Sequence, residues 1–102
     1  FWTWRDLMYK FVADLTPEDV YIIARQLYLE MVKAGYSWVG EFHYLHHDSD
    51  GQKYSDPLTM SHQVIAAAEK TGLRMTLLPV FYQYAGFDFE SAGIKKDNLN
   101  PF

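Results

Sequence analysis

Cysteine is absent from this chain. That excludes disulfides and thiolate metal ligands, and it fits a cytoplasmic protein. Basic charge is scarce: Lys and Arg number 9 against 13 Asp and Glu, for a formal net charge of −4 and a pI of about 5.4. Lys95-Lys96 is the one adjacent basic pair. Phosphate contacts need clustered Lys and Arg, so nucleic acid is excluded as an expected partner. No apolar run approaches the roughly 20 residues that span a bilayer, so no membrane role is expected either. There is no Gly-rich phosphate loop, no Gly-x-Ser-x-Gly nucleophile elbow, no internal repeat and no low-complexity tract.

The chain has 102 residues, enough for one domain at most. A chain of that length buries only about two-thirds of its unfolded surface. Yet 18% of its residues are aromatic, and those rings need a larger body to pack into. The sequence opens on Phe1 and closes on Asn100-Pro101-Phe102, with neither a starting Met nor a polar tail. The expectation is a segment of a longer chain, and the alternative is a complete small domain.

Local patterning predicts helices over about 3–12, 17–34 and 59–71 and strands over about 37–44 and 74–80. Trp4, Leu7, Met8 and Phe11 recur at helical spacing. Thr16-Pro-Glu-Asp19 is a helix start: Thr16 caps, Pro17 suits the first helical position, and two carboxylates favour the positive end of the dipole. Val20, Ile23, Ala24, Leu27, Met31 and Ala34 form the buried stripe expected of that helix, and Gly35 ends it. Gly40 interrupts the first strand, suggesting close approach by a neighbouring backbone. In the third helix Val64, Ile65 and Ala68 are expected inward, His62 outward, and Gly72 at the end. Arg74 to Val80 reads as a second buried parallel strand, carried by Phe81-Tyr-Gln-Tyr84 into a loop at Ala85-Gly86. Strand, helix, strand is a βαβ unit, an α/β arrangement whose two strands should be parallel. Two strands cannot cover themselves, so more are expected beyond these residues.

The chemistry concentrates in Glu41-Phe-His-Tyr-Leu-His-His-Asp-Ser-Asp-Gly51. There three of the 4 histidines, Tyr44 and three carboxylates fall where a strand meets a polar loop. In parallel α/β proteins that junction is where ligands bind. His43, His46 and His47 could ligate a metal, but adjacent histidines tend to point apart, and solvated or hydrogen-bonded imidazoles are the better reading. Asp48-Ser-Asp-Gly51 lacks the glutamate of a calcium loop, and a turn closed by Asx hydrogen bonds suits it better. Tyr44 could donate its phenol to a ligand carboxylate; on residue type alone a packed ring is preferred. Arg5, within Trp2-Thr-Trp-Arg5, divides evenly between bidentate carboxylate binding and stacking on tryptophan.

Phe1-Trp-Thr-Trp-Arg-Asp-Leu-Met8, Ala24-Arg-Gln-Leu-Tyr28, Glu30-Met31, Lys33-Ala-Gly-Tyr36, Glu41-Phe-His-Tyr-Leu-His-His-Asp48 and Thr76-Leu-Leu-Pro-Val80 together resemble formimidoylglutamate deiminases of the amidohydrolase superfamily. The likeness runs from residue 1 to about 87. It implies a partial (β/α)8 TIM barrel, of which this segment supplies two parallel strands with their helices. It implies a divalent metal, usually zinc, that activates water to hydrolyse N-formimino-L-glutamate to N-formyl-L-glutamate and ammonia in histidine degradation. The family's metal ligands and catalytic residues fall outside these residues, so no catalytic residue and no metal ligand is expected here. Arg5 and Tyr44 match the positions that hold the glutamate portion of the substrate, a small-molecule dicarboxylate. The remainder of the barrel is the implied partner, and a homodimer is the implied assembly. After Ala85-Gly-Phe87 the pattern departs: Asp88-Phe-Glu90 stands where a glycine pair is usual, so the loop 88–93 bears on substrate choice. Two other functions compete. One is a related amidohydrolase acting on another carboxylate-bearing amidine or amide. The other is a stand-alone, non-catalytic α/β binding module.

Overall fold

The computed structural model describes residues 2–81, without the side chains of Trp2, Arg5, Asp6 and Tyr9. The readings made for 82–102, including the Tyr82–Tyr84 extension, the Ala85-Gly86 loop and the divergent loop 88–93, lie outside the described residues. Five elements follow in order: α1 (Trp2–Val12), α2 (Pro17–Lys33), β1 (Trp38–His43), α3 (Thr59–Thr71) and β2 (Arg74–Pro79). β1 and β2 pair in parallel, in a register that runs from Trp38 opposite Arg74 to His43 opposite Pro79. The fold class is therefore α/β, a βαβ unit preceded by two helices.

The ends of α2 are set by local chemistry. Thr16 is extended, its Oγ1 accepts from the Asp19 amide at 3.2 Å, and Asp19 Oδ2 accepts from the Thr16 amide at 3.0 Å. This reciprocal pair satisfies two amides that a helix start leaves open. The Thr16 hydroxyl also donates to Asp19 Oδ2, and this bond first, then the one from the Thr16 amide, holds the Asp19 carboxyl below its ordinary range. At the other end the chain turns at Gly35, whose φ of 94° suits a residue without Cβ. α3 has no side-chain cap at Leu58. The turn before it is held instead by Asp56, whose Oδ1 accepts from the Leu58 amide at 2.9 Å and whose carbonyl accepts from the Thr59 amide at 3.1 Å.

The core lies between α2, α3 and one face of the sheet. Val20, Ala24 and Tyr28 of α2 meet Met60, Val64, Ala67 and Ala68 of α3, with Leu73 at the foot of β2. Val39, Met75 and Leu77 pack on this cluster from the sheet. Two residues of the expected α2 stripe, Ile23 and Leu27, are more than half exposed, and Ala34 is exposed too. The buried line is instead Val20, Ala24 and Tyr28, one i, i+4 ridge directed at α3. α2 carries apolar residues around most of its circumference, so periodicity alone does not select the inward face. Ile65 is likewise more exposed than expected, while Val64 and Ala68 are buried and His62 faces out.

The other face of the sheet is open among the described residues: Trp38, Phe42 and Leu78 are all exposed there. Gly40 lies on this face. Among the described residues a Cβ built on it would meet only Leu78 Cδ1 at 3.8 Å, an ordinary contact, and no backbone. Trp38 donates from Nε1 to Thr76 Oγ1 at 2.9 Å, and the Arg74 guanidinium lies 5.2 Å from the Trp38 ring centre. No described helix is long and apolar enough to cross a membrane.

Candidate functional site

Strand parity decides where the groups at the end of β1 go. Val39, Glu41 and His43 share the helix side, whereas Trp38, Gly40 and Phe42 share the open side. Tyr44 follows on the second parity, immediately past the strand, and is 36% exposed. It thus stands at the carboxy-terminal end of a parallel strand, on the face not covered by helices. Arg5 lies in α1 by its backbone, and its side chain is outside the described residues. No described α1 residue joins the core cluster.

On the helix side, Glu41 receives the Tyr28 hydroxyl at 3.1 Å. Tyr28 is 1% exposed. Burial first, and then the Glu41 carboxylate, push its phenol well above the ordinary range. A half-buried carboxylate is better held when hydrogen-bonded, so the pair ties α2 to the middle of β1.

The three histidines diverge. His43 is 5% exposed, and its Nε2 has no hydrogen-bond partner among the described residues. Burial, with the adjacent His46 as a second cause, lowers it to about 4 against a backbone hydrogen bond at Leu45, so it stays neutral at physiological pH. His46 crosses it edge-on, ring centres 5.2 Å apart, and its Nε2 lies 2.9 Å from the Val80 carbonyl oxygen. A carbonyl only accepts, so Nε2 of His46 carries the hydrogen. His47 forms an isolated antiparallel bridge with Lys53, and its Nδ1 is buried without a partner among the described residues.

Beyond them Asp48 closes the turn. Its Oδ1 accepts from the Asp50 and Gln52 amides at 3.0 and 2.7 Å, and Gly51 takes a φ of 74°. The Asx reading of this segment holds. Nor do the donors present suit zinc: among the described residues no three His, Cys, Asp or Glu side chains converge to hold a metal ion. One imidazole points into the core, one is committed to a backbone carbonyl, and none shares a centre with a carboxylate.

Two features of this region escaped the sequence. The Tyr28–Glu41 pair had a signal, since Tyr28 is four residues past Ala24 on the buried ridge. The His46–Val80 link had none, because it joins a loop to the end of a strand 34 residues away.

No protein-family model matches the chain. A curated formimidoylglutamate deiminase from Pseudomonas aeruginosa is 55% identical over 92 residues, covering 90% of this chain and 20% of that protein. A crystal structure of an amidohydrolase from Brucella melitensis superposes with a TM-score of 0.80 at 50% identity, over 85% of this chain and 19% of that one. This chain thus spans about a fifth of the length of each relative. The resemblance drawn from the Trp-Thr-Trp-Arg and Phe-His-Tyr-Leu-His-His runs is borne out, and the local fold is that of a stretch of an amidohydrolase.

Proposed function

We propose that these residues form one sector of a formimidoylglutamate deiminase and supply part of its substrate pocket. The reaction adds water to the formimino carbon of N-formimino-L-glutamate and releases ammonia, leaving N-formyl-L-glutamate. The observation that carries the reading is the 55% identity to such an enzyme across 90% of the chain. Its local support is the place of Tyr44, just past the end of a parallel strand on the open side.

In this reading Arg5 and Tyr44 are the substrate-binding residues. The guanidinium takes a carboxylate of the glutamate portion in a bidentate pair, and the Tyr44 hydroxyl donates to a second oxygen. Both hold the substrate while the chemistry proceeds elsewhere. The divalent metal of such an enzyme, zinc by expectation, is bound by residues other than those described, so no step of the reaction is assigned to this sector. The open face of β1 and β2 turns toward the rest of a (β/α)8 barrel. A homodimer in the cytoplasm completes the proposal.

A second reading has one observation in its favour. Asp88-Phe-Glu90 departs from the glycine pair usual in the family, which points to a relative acting on another carboxylate-bearing amidine or amide. A stand-alone binding module is disfavoured by Trp38 and Phe42, both more than half exposed on the open sheet face. The test is ammonia release by the full-length protein from N-formimino-L-glutamate and from a panel of N-acyl and amidino amino acids. Preference for N-formimino-L-glutamate supports the first reading. Preference for another member of the panel replaces it with the second, and no turnover of any member removes both.

A further inference from the structure

The chain around Tyr44 is fastened on both sides to one residue. On one side the Val80 amide donates to the His43 carbonyl at 2.9 Å, continuing the β1–β2 ladder past Pro79, which has no amide hydrogen. On the other side the Val80 carbonyl accepts from His46 Nε2 at 2.9 Å. Both polar groups of the Val80 peptide positions are thus spent on the stretch His43–His46. Between the two fastenings lie only Tyr44 and Leu45, and Leu45 packs against the core. The His46 ring is seated edge-on against the buried His43 ring, which limits the rotamers from which Nε2 can reach Val80.

We infer that His46 is a positioning residue: by clasping the Val80 carbonyl it closes a loop of chain around Tyr44 and fixes the direction of that phenol. His46 touches no substrate in this account and acts through Tyr44. The inference rests on the reading of Tyr44 as a substrate-binding residue, and it adds a side chain to which nothing in that reading gives a role. The clasp also explains the residue type. The donor must sit at the far end of a flat side chain that can lie edge-on to His43, which an imidazole carrying its hydrogen on Nε2 provides.

The experiment uses the full-length protein with His46→Leu, His46→Gln and Tyr44→Phe, and the double variant His46→Leu/Tyr44→Phe. Steady-state kinetics are measured with N-formimino-L-glutamate, and backbone hydrogen exchange is followed at Val80. Gln places an amide N–H close to where Nε2–H stood, and Leu removes the donor. The expected result is a KM about fivefold to tenfold higher for His46→Leu, with kcat changed less than about twofold, the size of one lost substrate hydrogen bond. Gln should restore most of the loss. In the Tyr44→Phe background the Leu substitution should add little, because the group it positions is already gone. Exchange at the Val80 amide should speed up in the Leu variant and not in the Gln variant.

An equal rise in KM with and without the Tyr44 hydroxyl overturns the inference. So does a Gln variant as impaired as Leu, or unchanged exchange at Val80. If the wild-type protein does not turn over N-formimino-L-glutamate, the functional reading fails by itself. The exchange measurement then decides the clasp alone, faster exchange in Leu only upholding it and unchanged exchange overturning it. Should His46→Leu fail to fold, His46→Asn, whose amide is too short to reach Val80, takes its place with the same outcomes.

Discussion

Acid should destabilise this protein through His43, and the size of the effect follows from its burial. The ring is 5% exposed. Its pKa falls from 6.5 to about 4, burial being the main cause and the neighbouring His46 the second. A folded-state value below the unfolded one means that the unfolded chain takes up the proton first as pH falls. Stability is then complete above about pH 6.5, drains as pH drops below it, and stops falling below about pH 4. The full shift corresponds to about 3 kcal/mol, of which about 2 kcal/mol is lost by pH 5. Water at the adjacent loop screens part of this, leaving about 1–2 kcal/mol at pH 5. The assay is urea unfolding of the full-length protein between about pH 7.5 and pH 5, compared with His43→Leu, which fills the site with an apolar group that cannot titrate. The variant should lose less stability on acidification by that amount. Parallel losses in the two proteins would refute the argument that a buried neutral imidazole sets this dependence.

Two further substitutions probe the frame that holds the site. Tyr28→Phe removes the hydroxyl that Glu41 accepts. It should cost about 2 kcal/mol in urea unfolding, the scale of a hydrogen bond to a charged group, while in Glu41→Gln the same change should cost clearly less. Gly72→Ala places a Cβ in open space but at a φ of 76°, so its cost is conformational alone, about 1 kcal/mol, and should appear as a lowered melting temperature with kcat/KM unchanged.

How much of this was legible depended on whether the signal was local. The start of α2 was readable because Thr16, Pro17 and Asp19 act within one turn. The end of α3 was readable because Gly72 adopts a backbone angle that disfavours other residues. The parallel pairing of the two strands followed from their separation by a helix. The Asp48 turn was readable from residue type alone. What failed was the choice among competing apolar faces. Ile23 and Leu27 are as hydrophobic as Val20 and Ala24, and only the position of α3 says which pair is buried. At Gly40 the nearest described neighbour is the flexible end of Leu78 and not a backbone, a distinction that residue type alone does not make. At the candidate site, the place of Tyr44 at a strand end was visible, whereas the burial of His43 and the commitment of His46 to Val80 depend on a register that only the folded sheet defines.

The central claim is that this sector binds the carboxylates of a dicarboxylate substrate and leaves the bond-breaking to other residues. Its most direct test is the steady-state kinetics of Arg5→Ala in the full-length protein with N-formimino-L-glutamate. Loss of a charge-assisted pair should raise KM by about 10- to 100-fold and leave kcat within a few-fold of wild type. An unchanged kcat/KM, or a fall in kcat at constant KM, would contradict it.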